Sequence, residues 1–358
     1  MLEVADIFRL HGPDYRAHFA NRMLPSHLRA MQDIEQCRTP SLGGQLYYCP
    51  QCHEQRFSYH SCKNRHCPKC QNEQANDWLA EQQSLLLPTH HFLVTFTLPA
   101  ELRAIARSNQ KTIYNLLFRA SSQALLQLAQ DPRLVGARLG MVGVLHTWTR
   151  QLLYHPHLHY IVTGGGLTAD GRWISARKDF LVPVKALSRI FRAKFRDELK
   201  KTDLFALVPP RVWRKAWVVH SEPVGSGEPA FQYLAPYIFR VAISNNRLRQ
   251  LHDGQVTFSY KESATEQLKH CTVSAAEFIR RFLQHVLPPR FIKVRYFGLL
   301  SPSNRHLLQK ARQLLGAATS KPKREVLMPT EPLAALRCPH CGQLLTLLRS
   351  LAPRGRAP

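Results

Sequence analysis

The hydrophobic and polar positions of this chain recur with two different periods, and the change of period predicts a succession of helices and strands. Apolar residues recur at helical intervals over residues 3–36, where Pro25 divides the segment, and again over residues 74–86. Further helices are expected over 100–130, 184–200, 232–242, 274–286 and 301–315, and strands over 91–98, 139–148, 157–163, 211–220, 256–260 and 291–297.

Two of the predicted strands, over 139–148 and 157–163, are expected to pair as neighbours. The sequence Gly164-Gly165-Gly166 after the second strand marks a turn. Strands interspersed with helices favour an α+β fold, here with an antiparallel sheet and packed helices. The predicted regions are a helical and metal-binding domain over 1–88, an α+β sheet domain over 89–300, and a basic helical C-terminal region with a tail over 301–358.

The charge of the chain indicates its partner. The 358 residues include 49 Lys and Arg against 24 Asp and Glu, a formal net charge of +25. Such an excess along the whole chain favours a polyanion and makes nucleic acid the expected partner, with a ribosomal or membrane-surface protein as the alternative. No segment has the roughly 18 apolar residues that span a bilayer. The start lacks the basic residues of a secretion signal, so we expect a cytoplasmic, nucleoid-associated protein without a membrane partner.

Cysteine spacing predicts a zinc site. Six of the nine cysteines fall between Cys37 and Cys70, and in a cytoplasmic chain such a cluster indicates metal ligands rather than disulfides. Two pairs, each with two intervening residues, are separated by 14 residues, the spacing of a tetrahedral zinc ribbon. The predicted ligands of this site are Cys49, Cys52, Cys67 and Cys70.

The remaining residues of this region leave several alternatives open. A second N/S zinc site is possible from Cys37, His60, Cys62 and His66, although the two histidines can instead be solvated or contact DNA. Basic residues surround the metal, so the region is either a DNA-binding module or a structural staple, and both can hold. The basic residues around the metal are Arg56, Lys63, Arg65 and Lys69.

Near the C-terminus, Cys338 and Cys341 supply only two of the four ligands of a zinc site. Either ligands from elsewhere in the chain complete this site, or the pair binds no metal.

Three histidines stand at alternate positions in His155-Pro156-His157-Leu158-His159, directly before an apolar run. In a strand, alternate side chains point to one face, so their imidazoles would converge on a divalent cation, Mg²⁺ or Mn²⁺. The alternative is that they are ordinary half-buried strand residues. Pro156 fixes the local backbone and can turn His155 off the shared face. Further candidate ligands or supporting residues are His146, on the preceding strand, and Gln151.

Tyr233 and Tyr237 are four residues apart on a predicted helix and can share one of its faces. A tyrosine hydroxyl, with an ordinary pKa of about 10, becomes a nucleophile when a metal and basic neighbours favour the phenolate. Pro236 makes Tyr237 the geometrically safer of the two. Taken alone, the pair also suits a role as core aromatics. Together with a metal-binding histidine strand, it suggests DNA strand cleavage through a phosphotyrosine bond.

Four motifs in this order make the chain resemble transposases of the insertion sequence 91 family, bacterial rolling-circle elements whose enzymes belong to the His-hydrophobic-His endonuclease superfamily. The resemblance covers nearly the whole chain, and the combination is more specific than any one motif. The motifs are Ser61-Cys62-Lys63-Asn64-Arg65-His66-Cys67-Pro68-Lys69-Cys70-Gln71, His155-Pro156-His157-Leu158-His159, Tyr233-Leu234-Ala235-Pro236-Tyr237 and Phe278-Ile279-Arg280-Arg281-Phe282-Leu283.

The resemblance implies that His157 and His159 hold the catalytic cation, and that Tyr233 and Tyr237 are nucleophiles that form 5′-phosphotyrosines and release 3′-hydroxyls. It also implies an antiparallel catalytic sheet with packed helices, a zinc module that helps recognise the element's ends, and single-stranded DNA as an intermediate. The residues expected to contact DNA are Lys63, Arg65, Lys69 and Arg240.

Two alternatives remain for the function. A plasmid replication initiator or conjugative relaxase shares the nicking chemistry, but such proteins often carry a helicase region, and the sequence has no Gly-x4-Gly-Lys-Ser/Thr phosphate loop. The other alternative is a zinc-dependent DNA-binding protein without catalysis.

Overall fold

The computed structural model describes residues 1–70, 87–226, 241–262, 265–316 and 336–354. The chain forms two compact units, the first from 1–74, 243–286 and 320–358, the second from 75–242 and 287–319. The first unit joins an N-terminal segment to two segments from the last third of the chain. The regions over 1–88, 89–300 and 301–358 stay a prediction.

The elements below are numbered over the described residues. None of the helices in this part of the chain is long and apolar enough to cross a membrane. The α-helices are α1 (Val4–Phe19), α2 (Pro25–Gln36), α3 (Arg103–Ser108), α4 (Gln110–Ala129), α5 (Val184–Leu199), α6 (Ala275–Leu283) and α7 (Arg305–Leu314). The strands are β1 (Gly44–Cys49), β2 (Glu54–Tyr59), β3 (His90–Thr97), β4 (Arg138–Trp148), β5 (Tyr154–Leu167), β6 (Trp173–Ser175), β7 (Val219–Ser226), β8 (Leu248–His252), β9 (Gln255–Lys261), β10 (Leu268–Ser274), β11 (Val294–Gly298) and β12 (Thr346–Leu351).

The first unit contains two antiparallel three-stranded sheets, in the orders β12-β1-β2 and β10-β9-β8, together with α1, α2 and α6. Helix α6 begins where predicted, because the Ser274 side chain accepts a hydrogen bond of 3.2 Å from the Glu277 backbone N–H. The rings of Phe8 on α1 and Phe282 on α6 meet edge to face, with centroids 5.2 Å apart. Both residues are buried, so this contact fixes the two helices against each other.

The second unit is built on a six-stranded antiparallel sheet in the order β11-β4-β5-β3-β7, with β6 paired to β5. Helices α4 and α5 cover one face, where the ring of Phe96 packs against those of Tyr160 and Phe191, with centroids 5.7 and 5.0 Å away. Because side chains alternate along a strand, the residues of β5 between those core positions point to the opposite face. The predicted α+β class and the predicted pairing of β4 with β5 are confirmed.

Two predicted elements differ from the structure. The glycines 164–166 do not form a turn but lie within β5. A Cβ on Gly165 would stand 2.6 Å from the Ile174 carbonyl oxygen, so glycine is what permits the close pairing with β6. The segment 211–220 is a strand only from Val219 onward, and its first part is a 3-10 helix, Pro210–Trp213. The buried residues Val212, Trp217 and Val219 belong to the core, and their apolar side chains contributed to the false strand signal.

Candidate functional site

Three imidazoles converge on the sheet face that α4 and α5 leave uncovered. His146 on β4 lies directly opposite His157 on β5, and His159 follows two residues later on the same face of β5. One ring nitrogen from each histidine lies within 4.8 Å of the others. His146 is buried, whereas His157 and His159 are half-buried. Antiparallel register therefore supplies the third imidazole, from a neighbouring strand rather than from the motif itself.

The surroundings of two rings fix which nitrogen faces the cluster. The Nδ1 atom of His157 lies 2.7 Å from the His155 carbonyl oxygen. A carbonyl oxygen only accepts, so His157 Nδ1 carries the proton and its Nε2 keeps a lone pair for a metal. In His159, Nδ1 lies 2.9 Å from the Thr95 hydroxyl on β3. Such contacts on the far side of a ring orient metal-binding histidines. The sequence prediction did not include Thr95, although a polar residue between apolar Val94 and Phe96 was a signal.

His155, which the prediction included among the metal ligands, has a different environment. Its Nδ1 lies 2.6 Å from the guanidinium of Arg103, which can only donate, so this nitrogen accepts. Burial first, and the Arg103 charge second, lower the pKa of His155 to about 4, which keeps the ring neutral. His155 is not among the three histidines that converge, and His146 takes the third position. Gln151 lies in the connection between β4 and β5.

The predicted nucleophiles Tyr233 and Tyr237, and the predicted DNA contact Arg240, lie outside the described residues.

The structure brings the cysteines together in a different combination from the predicted one. Strands β1 and β2 form a hairpin that keeps the Cys49 and Cys52 pair apart from the Cys67 and Cys70 pair. Neither His60 nor His66 belongs to a sulfur group among the residues that the structure describes. One group consists of Cys37, Cys62, Cys67 and Cys70, and the other of Cys49, Cys52, Cys338 and Cys341.

The sulfur separations fit tetrahedral metal sites. In the first group, Cys70 Sγ lies 3.6 Å from the sulfurs of both Cys37 and Cys62. In the second, the separations are 3.5 Å for Cys49 with Cys341 and 3.9 Å for Cys52 with Cys338. Four thiolates about 2.3 Å from one zinc ion stand about 3.8 Å apart, whereas a disulfide holds its sulfurs at about 2.05 Å. The thiol groups are therefore arranged as metal ligands rather than as disulfides.

The basic residues around the first sulfur group are not equivalent. Lys63 is exposed, in a left-handed backbone conformation with φ 53°. The Lys69 ammonium is 2.5 Å from a carboxylate oxygen of Glu3, so an ion pair within the unit already engages it. Arg65 is half-buried, and burial lowers its pKa. Of the three, Lys63 has the greatest access to an external phosphate.

Comparisons with known proteins agree on the class of protein. A family model described as "Transposase zinc-binding domain" matches residues 7–98, and one described as "Putative transposase" matches residues 140–307. The first match and the four-cysteine groups support structural zinc in this chain.

Two curated relatives cover most of the chain. "Putative transposase y4qJ" of Sinorhizobium fredii is 42% identical over 96% of this chain and 94% of its own length. "Transposase for insertion sequence element IS801" of Pseudomonas savastanoi pv. phaseolicola is 30% identical over 86% of this chain and 79% of its own. A solved structure of conjugative relaxase TrwC with mutant oriT DNA matches 30% of this chain and 43% of that chain at 20% identity, but its TM-score of 0.26 is too low to bear on the fold. The chain therefore belongs to the insertion sequence 91 family of transposases and carries an N-terminal zinc-binding domain of that family.

Proposed function

We propose that this chain nicks and rejoins single DNA strands at the ends of an insertion sequence, with a divalent cation held by His146, His157 and His159. The observation that carries the proposal is the convergence of three imidazole nitrogens within 4.8 Å on one sheet face. The donor set contains three imidazoles, two of which have their Nδ1 side engaged by neighbouring groups. These rings suit Mn²⁺ and other first-row ions better than the hard ion Mg²⁺, which prefers oxygen ligands.

The chain's own residues divide the chemistry between them. The cation would draw charge off the phosphoryl oxygens of the scissile phosphate. Tyr237 or Tyr233 supplies the nucleophile: the phenol loses its proton, its oxygen bonds to phosphorus, and the bond from phosphorus to the 3′ oxygen breaks. That oxygen takes up a proton and becomes a 3′-hydroxyl. The 5′-phosphotyrosine conserves the bond energy, so a second strand's 3′-hydroxyl can reverse the step without ATP.

Substrate binding follows from charge. The formal charge of +25 favours DNA, and exposed Lys63 beside a four-cysteine group offers a phosphate contact in the zinc-binding domain. We assign structural zinc there to Cys37, Cys62, Cys67 and Cys70, whose sulfur spacing matches a tetrahedral shell. In this proposal the zinc-binding domain helps recognise the element's ends.

The decisive experiment is covalent capture. The protein is incubated with labelled single-stranded oligonucleotides from the flanks of its gene and Mn²⁺ or Mg²⁺, and adducts are resolved on a denaturing gel. Tyr237→Phe should abolish or strongly reduce the adduct while DNA affinity is retained, because only the nucleophilic oxygen is removed. Tyr154→Phe, a buried tyrosine whose hydroxyl contacts that of Tyr114, serves as the control for loss of a phenol oxygen elsewhere.

Binding without any adduct under every metal condition would favour the non-catalytic DNA-binding alternative. An undiminished adduct in the variant lacking both Tyr233 and Tyr237 hydroxyls would contradict the assignment of the nucleophile.

A further inference from the structure

The pair Cys338 and Cys341 has no part in the function proposed above. It lies outside both segments that match transposase family models, residues 7–98 and 140–307. Yet it belongs to the same compact unit as the N-terminal cysteines. Its sulfurs stand 3.5 and 3.9 Å from those of Cys49 and Cys52, across sequence separations of 292 and 286 residues.

The two cysteine pairs have the same local backbone geometry. After the first pair, His53 has a positive φ of 56° and its N–H donates to the Cys49 carbonyl at 2.9 Å. After the second, Gly342 has φ 74° and its N–H donates to the Cys338 carbonyl, also at 2.9 Å. Each turn bends the chain so that both thiols of a pair point to one side. Two such turns facing each other make the two halves of a zinc ribbon.

Strand pairing explains how the tail reaches the first pair. Strand β12 runs antiparallel to β1, with Gly44 opposite Leu351 and Tyr48 opposite Thr346. Cys49 directly follows Tyr48, so this register places the turn before β12 beside the first cysteine pair.

Side-chain burial does not account for the position of the tail. Five of the six residues of β12 are exposed, including Leu347 and Leu348 at 48% and 49%. A six-residue strand with so little buried surface gains little from the hydrophobic effect, and a metal bond offsets the entropy of ordering the chain.

We propose that Cys49, Cys52, Cys338 and Cys341 bind a second structural zinc ion, which fastens the C-terminal tail to the N-terminal zinc-binding domain. The transposase zinc-binding domain is then composite: its second metal site and the third strand of its sheet come from the C-terminal tail. This inference does not depend on the nicking chemistry, because it concerns a different unit and different ligands.

Zinc content of the full-length protein tests the proposal. Protein carrying His157→Ala, which removes one ligand of the histidine cluster, should contain two zinc ions per chain by elemental mass spectrometry, and the same protein with Cys341→Ser should contain one. Cys271→Ser in the same background is the matched control, because Cys271 belongs to neither sulfur group among the described residues, and it should keep both ions. One zinc ion in the His157→Ala chain, or two after Cys341→Ser is added, would overturn the proposal.

Thiol reactivity in the wild-type protein gives a readout that survives a folding defect in the variant. Cys338 and Cys341 should resist alkylation until a chelator is added, whereas Cys271 should react at the same rate with and without chelator. In Cys52→Ser, the tail cysteines should become reactive while Cys62 and Cys67 stay protected. If the tail cysteines of wild-type protein reacted as fast as in the chelator-treated protein, no metal would hold them.

Discussion

At the scale of single residues, the register between β4 and β5 decides which histidines can share a metal. The sequence placed His155, His157 and His159 on one strand face, and the alternation along β5 agrees with that placement. The cross-strand neighbour His146 stands directly opposite His157, however, while the His155 ring contacts Arg103. Sequence spacing therefore anticipated two members of the cluster and named the third as an option. The pairing between β4 and β5 is needed to decide whether His146 or His155 is the third member of the cluster.

This difference gives a prediction about the third ligand. His146→Ala should strongly reduce the rate of Mn²⁺-dependent nicking, because it removes one of the three nitrogens proposed to bind the ion. His155→Ala should keep most of the activity once Mn²⁺ is saturating. The measurement is the initial nicking rate against Mn²⁺ concentration for both variants. The opposite order, with His155→Ala inactive and His146→Ala active, would move the third ligand to His155.

The buried histidine on β3 makes the fold sensitive to acid. Burial chiefly, with the neighbouring charge of His90, lowers the pKa of His91 to about 4 from an ordinary value of 6.5. A depressed pKa means that the folded chain binds this proton less readily than the unfolded chain. The stabilising contribution is therefore complete above pH 6.5 and is lost as the pH falls through about 4.

We expect His91 alone to lower the free energy of unfolding by about 2 kcal/mol between pH 7.5 and pH 5. His91→Leu should remove that part of the pH dependence, and His306→Gln, at an exposed position on α7, should retain it. Urea unfolding at the two pH values measures both. If the free energy of unfolding of His91→Leu changed between the two pH values as much as that of the wild type, the acid sensitivity would belong to other groups.

At the scale of elements, burial separates what the sequence predicted from what it missed. Strands β3, β4 and β5 and helices α4 and α5 carry regular apolar patterns because one or both of their faces pack into a core. Strands β1, β2 and β12 are short, and the two outer strands of this sheet, β2 and β12, are mostly exposed, so no periodic apolar signal marks them. The pairing of these strands depends on backbone hydrogen bonds and on the cysteine groups. Local sequence patterns reveal neither.

Close packing inside the six-stranded sheet can be tested at a glycine. Gly143 on β4 pairs with Tyr160, and a Cβ there would stand 2.5 Å from the Tyr160 ring. The ring is fully buried and its hydroxyl contacts Ser121 at 2.8 Å, so it has little room to move.

Gly143→Ala should therefore cost about 1–3 kcal/mol of stability through overpacking. Gly140→Ala on the same strand is the control. Its nearest contact is a Leu300 side-chain carbon at 3.0 Å, which can shift, and the cost should be smaller. The midpoints of urea unfolding rank the stabilities of the two variants. Equal losses of stability would mean that the Tyr160 ring can move to accommodate the added methyl group.

At the scale of the whole molecule, long-range pairing and charge matter most. In the first unit, more than 150 residues of sequence separate the N-terminal segment from the other two, and nothing local signals that residues 243–286 or the tail belong with the N-terminus. Charge is different, because it is a sum over the chain and follows directly from composition. The nucleic-acid partner was therefore predictable, whereas the division into units was not.

Binding to single-stranded DNA should fall steeply with salt. If six to ten phosphates of a single strand are contacted, affinity should drop by about 300-fold to 10⁴-fold between 50 and 200 mM salt. Lys63→Ala should weaken binding to all sequences and reduce the log–log salt slope by about 0.7. Lys269→Ala, where the ammonium already pairs with Glu262 at 2.6 Å, is the control. Fluorescence anisotropy over a salt series measures the slopes, and equal slopes for wild type and Lys63→Ala would exclude Lys63 as a phosphate contact.

The pairing of β12 with β1 has a consequence for synthesis of the protein. On the ribosome, β1 emerges early and β12 is the last described strand to be made, so one edge of β1 stays bare during nearly all of translation. A message cut short before codon 338 yields a product with an open strand edge and two unmatched thiols. A less stable chain is unfolded for more of the time and is degraded faster in cells, so we expect truncated copies to be removed before they occupy DNA.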